Sequence, residues 1–228
     1  RYVYRAPEPF TAGGRPICLK GGDSGSLQGK VEKIWGYVKV AAGRWGGEKA
    51  LVTVDITGDL LLHVRAGADP LELKTRPFTR ANGAKLKIAW RSRVDFVPAG
   101  FAGVPRPSLL LQDIDNDLAV AVPEAEGSLA LVKFEKLRYD DGTTVRLSGI
   151  NRLSGRCHVS LVDWDGDGRE DIVFGNNGSC QKYFEKTVKR KPNASSFILL
   201  NVGTREAPRY AEALPLVLKA SGKRLVFG

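Results

Sequence analysis

Asp163-Trp164-Asp165-Gly166-Asp167-Gly168-Arg169-Glu170-Asp171 is the stretch whose reading decides the fold. Aspartates stand at positions one, three, five and nine of this run, and glycines at four and six let the chain curl tightly. This spacing converges carboxylate oxygens on a hard cation, with the carbonyl of Arg169 at the seventh position. Oxygen-only ligands, a flexible loop and several carboxylates favour Ca2+ over Mg2+ or a softer transition metal. An EF-hand would require a glutamate at position twelve and helices on either side. Position twelve is Phe174, and the flanks, 157–162 and 172–174, read as strands. The plain alternative is an acidic solvated turn, but four carboxylates crowded without a cation would repel one another.

Working outward, the ending of this loop recurs. Asp55-Ile56-Thr57-Gly58-Asp59, Asp113-Ile114-Asp115-Asn116-Asp117 and Asp167-Gly168-Arg169-Glu170-Asp171 are each an acidic pair four residues apart followed by an apolar strand, at intervals of 113 − 55 = 58 and 167 − 113 = 54 residues. The first two copies align with the third either on this closing pair or on their openings, as Asp113-x-Asp115-x-Asp117 and Asp55-x-Thr57-x-Asp59. Either way ligands are missing, so these loops read as degenerate or metal-free turns, with loop deletion or an incomplete sequence as the alternative that would give the same pattern. Gly127-Ser128 leads to Val132-Lys133-Phe134-Glu135-Lys136 much as Gly178-Ser179 leads to Lys182-Tyr183-Phe184-Glu185-Lys186. Arg1-Tyr2 and Arg209-Tyr210 open similar phrases near the two ends.

In the third copy the pattern predicts strands at 157–162, 172–174, 181–184 and 197–202, with Gly175-Asn176-Asn177-Gly178 as a hairpin turn. Four antiparallel strands per ~55 residues describe a propeller blade. The fold expected is an all-β propeller in one domain over 1–228, about four blades, with approximate bounds 1–34 (partial), 35–89, 90–149 and 150–228. It could stand alone or belong to a larger ring; a β-sandwich or β-solenoid is the alternative. The glycines of Gly43-Arg44-Trp45-Gly46-Gly47 read as a turn.

Composition agrees with a globular chain of many turns: 228 residues, 43% hydrophobic, 26 glycines and 12 prolines. A net charge of +10 favours anionic partners. The cluster Lys186, Lys189, Arg190 and Lys191 reads as a solvated hairpin tip, and no nucleic-acid motif accompanies it. No apolar run reaches the ~18 residues that span a bilayer, and with Arg1 first the chain reads as mature, processed or truncated. The three cysteines, Cys18, Cys157 and Cys180, lack zinc or redox spacing. Cys157 and Cys180 flank the metal loop and form the preferred disulfide candidate. Asn177-Gly178-Ser179 and Asn193-Ala194-Ser195 are glycosylation sequons.

The stretch from Leu161 to Gly178, followed by Leu200-Asn201-Val202-Gly203-Thr204-Arg205-Glu206-Ala207-Pro208-Arg209-Tyr210, resembles an FG-GAP or VCBS repeat. The resemblance is specific over roughly 150–228 and degenerate over roughly 35–149. It implies a calcium-binding propeller of a secreted or cell-surface protein, with calcium at Asp163, Asp165, Asp167 and Asp171.

Three functions fit. The first is a carbohydrate-binding or adhesive module for acidic polysaccharide or glycoprotein, with Trp35, Tyr37, Trp45, Trp90 and Trp164 as stacking candidates and Arg91, Arg93 and Arg156 for acidic groups. Aromatic residues at strand ends more commonly fill the space between blades. The second is a polysaccharide lyase acting on uronate glycan, for which only His63 and His158 could serve as a histidine base. The third is a structural subunit of an extracellular assembly, associating as a homo-oligomer or with further blades through unpaired edges. The first is preferred.

Overall fold

The computed structural model describes residues 8–17, 39–55, 57–89, 92–146, 157–176 and 196–225. Outside them lie Arg1-Tyr2, Cys18, Trp35, Tyr37, Trp90, Arg91, Arg156, Cys180, both sequon asparagines, the basic cluster at 186–191 and the strand expected at 181–184. Among the described residues the regular structure is β, with one 3-10 turn, Phe101–Gly103, and no helix is long and apolar enough to cross a membrane.

A short hairpin, β1 (Thr11–Ala12) and β2 (Arg15–Pro16), precedes three larger sheets. The first sheet runs β3 (Lys39–Trp45), β4 (Glu48–Val54), β5 (Leu60–Arg65), β6 (Leu73–Pro77), each strand antiparallel to the next. Gly46 and Gly47, both at positive φ, make the β3–β4 turn; Gly43, expected to belong to that turn, lies within β3. The middle sheet receives β7 (Thr79–Arg80), then runs through β8 (Asp95–Val97), β9 (Ser108–Gln112), β10 (Leu118–Pro123) and β11 (Ala130–Lys136). Here β8 to β11 are antiparallel in order, and β7 joins β11 in parallel. After β12 (Arg138–Tyr139) comes the third sheet, β13 (Cys157–Val162), β14 (Asp171–Asn176) and β15 (Ser196–Leu199). Past β16 (Arg209–Tyr210), β17 (Leu214–Pro215) closes it.

The third sheet corrects the sequence expectation. Strands 157–162 and 172–174 form as the pattern requires, but β14 takes β15 as its direct neighbour, with Phe174 opposite Phe197. The segment from Phe197 is thus third in its sheet, and β17 is fourth. Gly175 and Asn176, expected to open a hairpin turn, belong to β14, and the rest of that expected turn lies outside the described residues. The phrase Val132–Lys136, by contrast, is β11 and pairs with β10.

Alternation within the middle sheet explains the packing. Leu109, Leu111, Ala121 and Leu131 face a core shared with Val52, Leu62 and Phe78 of the first repeat. Leu110, Leu118, Val120 and Val122 face the opposite core, shared with Val159, Ile172, Phe174 and Phe197 of the third. With every residue of β9 and β10 buried, these strands read as nearly continuous apolar runs, as two-sided burial demands. Each fully buried leucine contributes about 1.5–3 kcal/mol.

The sheets also converge along one line, because β8 packs against both β3 and β13. The Phe96 ring lies directly over Gly43, where a Cβ would come within 2.4 Å of it. Glycine is required there for close approach of the sheets. On the other side, the amide of Arg93 donates to the Cys157 carbonyl (3.1 Å), and the amide of Leu161 donates to Asp95 Oδ2 (3.0 Å). The described residues do not close into a barrel or ring.

Candidate metal centre

The acidic loop joins β13 to β14, with Val162 opposite Asp171 in the ladder. Antiparallel pairing holds the loop's two ends side by side, so Asp163 and Asp171 meet although eight positions separate them. Gly166 and Gly168 sit at φ 79° and 84°, a backbone region that glycine enters without steric penalty. The carboxylates of Asp163, Asp165 and Asp171 each place an oxygen within 4.8 Å of the others. That spacing lets the three oxygens share one metal ion.

Backbone amides orient these side chains. Asp163 accepts from Gly166 (2.9 Å) and Gly168 (3.1 Å). Asp171, only 1% exposed, accepts from Trp164 (3.0 Å) and Asn201 (2.8 Å). Asp167 departs from the expected ligand set: its carboxylate accepts from the Arg169 amide (2.9 Å) and pairs with the Arg169 guanidinium. The structure thus gathers three of the four aspartates and turns the fourth toward an internal cation. Arg169 contributes its side chain to that pair.

A second layer buttresses the loop. Asn201 is buried and its Oδ1 accepts from the amides of Gly203 (3.0 Å) and Arg209 (3.2 Å), which folds 201–210 back on itself. Arg205 from this turn pairs with Glu170 (2.9 Å), and the Tyr210 hydroxyl donates to the Glu170 carbonyl (3.4 Å). Burial, then the charges of Asp171 and Glu170, push the Tyr210 phenol up, so it remains a neutral donor. The sequence offered these residues only through the motif 200–210, because their partners lie 30 to 40 positions upstream.

The other two loops have the same opening and closing aspartates but are four residues shorter, since 171 − 163 = 8 whereas 59 − 55 and 117 − 113 are both 4. Asp55 and Asp113 occupy the opening corner, and Asp59 and Asp117 the closing one; the amide of each opener donates to the carbonyl of its closer (3.1 and 2.9 Å). Neither simple alignment holds, because the middle of the loop is absent. In each short loop one oxygen of the opener is occupied by backbone amides, those of Thr57 and Asp59 on Asp55 and those of Asp115 and Asp117 on Asp113. Gly58 (φ 80°) and Asn116 (φ 66°) provide the same left-handed corner, which asparagine tolerates best among residues bearing a Cβ.

Each closer then meets side-chain cations. Asp59 pairs with Lys85 (2.6 Å) and Lys87 (2.9 Å). Asp117 pairs with Lys136 (2.5 Å) and Arg146 (2.7 Å). Burial works to raise the Asp59 carboxyl, but the hydrogen bonds and charges of the two lysines outweigh it and hold it at about 2. The hydrogen bond to Asp117 chiefly raises the Lys136 ammonium. Asp59, Asp113 and Asp117 are therefore turn residues paired with internal cations, while Asp55 accepts the amides of its own turn and Asp115 contributes its amide to Asp113.

Among the remaining candidates, Trp45 is buried (3% exposed) with its ring edge-on to Phe78 (centroids 5.3 Å apart), which removes it from ligand stacking. Trp164 is 57% exposed between two of the three clustered aspartates. His63 is buried, with Nε2 2.9 Å from Thr53 Oγ1 and Nδ1 2.8 Å from Thr75 Oγ1, so both ring nitrogens are engaged within the sheet. Cys157 is buried at the start of β13; its proposed partner lies outside the described residues. No protein-family model, curated protein or solved structure matches the chain.

Proposed function

We propose that the chain is an extracellular propeller segment of FG-GAP or VCBS type, stabilised by Ca2+ at Asp163, Asp165 and Asp171, that binds acidic polysaccharide or the glycans of a glycoprotein. The stack of sheets, with the central strands β9 and β10 buried on both faces and edges converging at β3, β8 and β13, supports blades arranged about an axis. The observation that carries the binding role is Trp164, an indole held in water by the loop that presents the carboxylates. Leaving so large an apolar surface wet is unfavourable, and an indole at a loop tip suits stacking on a sugar ring. The net charge of +10 draws polyanionic chains toward it.

The fitting ion is calcium because all gathered donors are carboxylate oxygens on a flexible loop. Its role is to neutralise the cluster and fix the loop, which orients Trp164. Glycan-array binding with wild type and Trp164→Ala tests this. Binding to uronate or sulfated glycans that falls at least tenfold in the variant, with an unchanged melting temperature, supports the reading. Equal binding by both proteins, or no binding to any acidic glycan, overturns it.

A further inference from the structure

We propose that Lys39, Arg93 and His158 form a binding site for a single oxyanion, a carboxylate, sulfate or phosphate group, at the end of the β3–β8–β13 convergence remote from the acidic loop. The three residues come from different elements: Lys39 begins β3, Arg93 stands two residues before β8, and His158 is second in β13. The Arg93 amide bond to Cys157 fixes that backbone beside the start of β13, and β8 packs on β3 as well. His158 and Asp163 are five positions apart, roughly 17 Å of extended chain.

Nothing described neutralises this corner. No ion pair or side-chain hydrogen bond among the described residues involves Lys39, Arg93 or His158, and Arg93 Nε is buried without a hydrogen-bond partner there. The carboxylate nearest in the chain, Asp95, accepts the amides of Phe96 (2.9 Å) and Leu161 (3.0 Å). Burial and then the Arg93 charge push the Lys39 ammonium down. Burial, followed by the charges of Lys39 and Arg93, pushes the His158 imidazole down to about 4. A guanidinium fork with an ammonium beside it recognises oxyanions through charge-assisted hydrogen bonds, and an arriving negative charge would relieve the mutual repulsion and let His158 protonate.

His158 reports directly on occupancy, because the chain has only two histidines and His63, enclosed by two threonines, serves as internal control. Imidazole NMR titrations of the full chain at constant ionic strength, with chloride exchanged for sulfate, phosphate or a trimeric uronate, provide the test. The expected result is a saturable rise of about one unit in the His158 pKa, equivalent to tenfold preference for the protonated form, with His63 unmoved. Arg93→Gln should abolish the rise, and Lys39→Gln, at the start of an edge strand, should weaken binding roughly tenfold. Sulfate and uronate saturating alike identify a site for free ions, whereas a trimer binding tenfold more tightly identifies a glycan acid group; either supports the site. A His158 that titrates near 6.5 without added anion, no shift with any of the three, or a shift that persists in Arg93→Gln overturns it. The site does not depend on Trp164 or calcium, so failure of the glycan array would leave the sulfate result standing.

Discussion

Loops 55–59 and 113–117 neutralise their closing aspartates with cations from their own chain, while loop 163–171 is four residues longer and gathers three carboxylates instead. A shared ladder position tracks this difference. The amides of Leu86, Val145 and Ala211 donate to the carbonyls of Phe78, Leu137 and Leu200 (3.1, 2.9 and 2.9 Å), and the residues that follow are Lys87, Arg146 and Glu212. Lys87 reaches Asp59 and Arg146 reaches Asp117; the third repeat has an acid there. Loop length and the sign of this residue change together. A tethered cation needs no dissolved ion, whereas a bound ion stabilises by an amount that grows with the logarithm of its free concentration. The first two repeats should therefore be indifferent to calcium and the third conditional on it.

The largest effect should come from Asp171→Ala. It deprives the Trp164 and Asn201 amides of their acceptor at a buried site, which costs about 2–5 kcal/mol. At roughly 2–4 °C per kcal/mol for a chain of this size, a melting temperature within ~2 °C of wild type would break the assignment of Asp171 as keystone of the loop.

Calcium itself comes next. If the free ion stands at ~100 times its dissociation constant, it adds about 2.7 kcal/mol, lost on adding chelator in a calorimetric scan. Asp165→Ala, at an exposed position, should erase that increment while shifting chelated stability by less than ~0.5 kcal/mol. Asp117→Asn should retain the increment. A calcium response that survives in Asp165→Ala, or disappears in Asp117→Asn, would dissolve the contrast between long and short loops.

Asp117→Asn should itself cost about 1–2 kcal/mol, since its partners Lys136 and Arg146 are 39% and 45% exposed and solvent screens them. Denaturant melts should show this cost shrinking in high salt and unaltered by chelator.

The smallest effect is acid sensitivity of the first repeat. Asp59 titrates at about 2 in the folded state, against ~3.9 for an unfolded aspartate. Its contribution is therefore complete above pH ~4 and is lost as pH falls through about 2. Because both lysines are half exposed, about 1 kcal/mol is the expected size after screening. Lys85→Met combined with Lys87→Met should narrow that window, measured as the difference in stability between pH 5 and pH 2.

Local chemistry was legible in the sequence and distant pairing was not. The aspartate spacing and the strands at 157–162 and 172–174 are encoded within a few residues, so loop and flanks form where expected. Lys85 lies 26 positions from Asp59, and Arg146 lies 29 from Asp117, so nothing local marks them as the cations of those loops. The pattern suggested a strand at 181–184 following β14; that segment lies outside the described residues, and β14 pairs instead with β15, where Phe197 stacks on Phe174 (centroids 5.2 Å apart). Gly43 looked like part of a turn because its requirement, the Phe96 ring, lies 53 positions further on. Asp167 looked like a ligand by position alone, and only the fold shows it turned to Arg169.

Leu109 and Leu110 are neighbours in the chain yet belong to different cores. Anyone trimming this protein to a minimal unit therefore has no clean cut: excising either outer repeat would strip one face of the central strands bare and invite clumping. Soluble fragments should begin and end outside 39–215, and a nick within β9 or β10 should loosen both halves together.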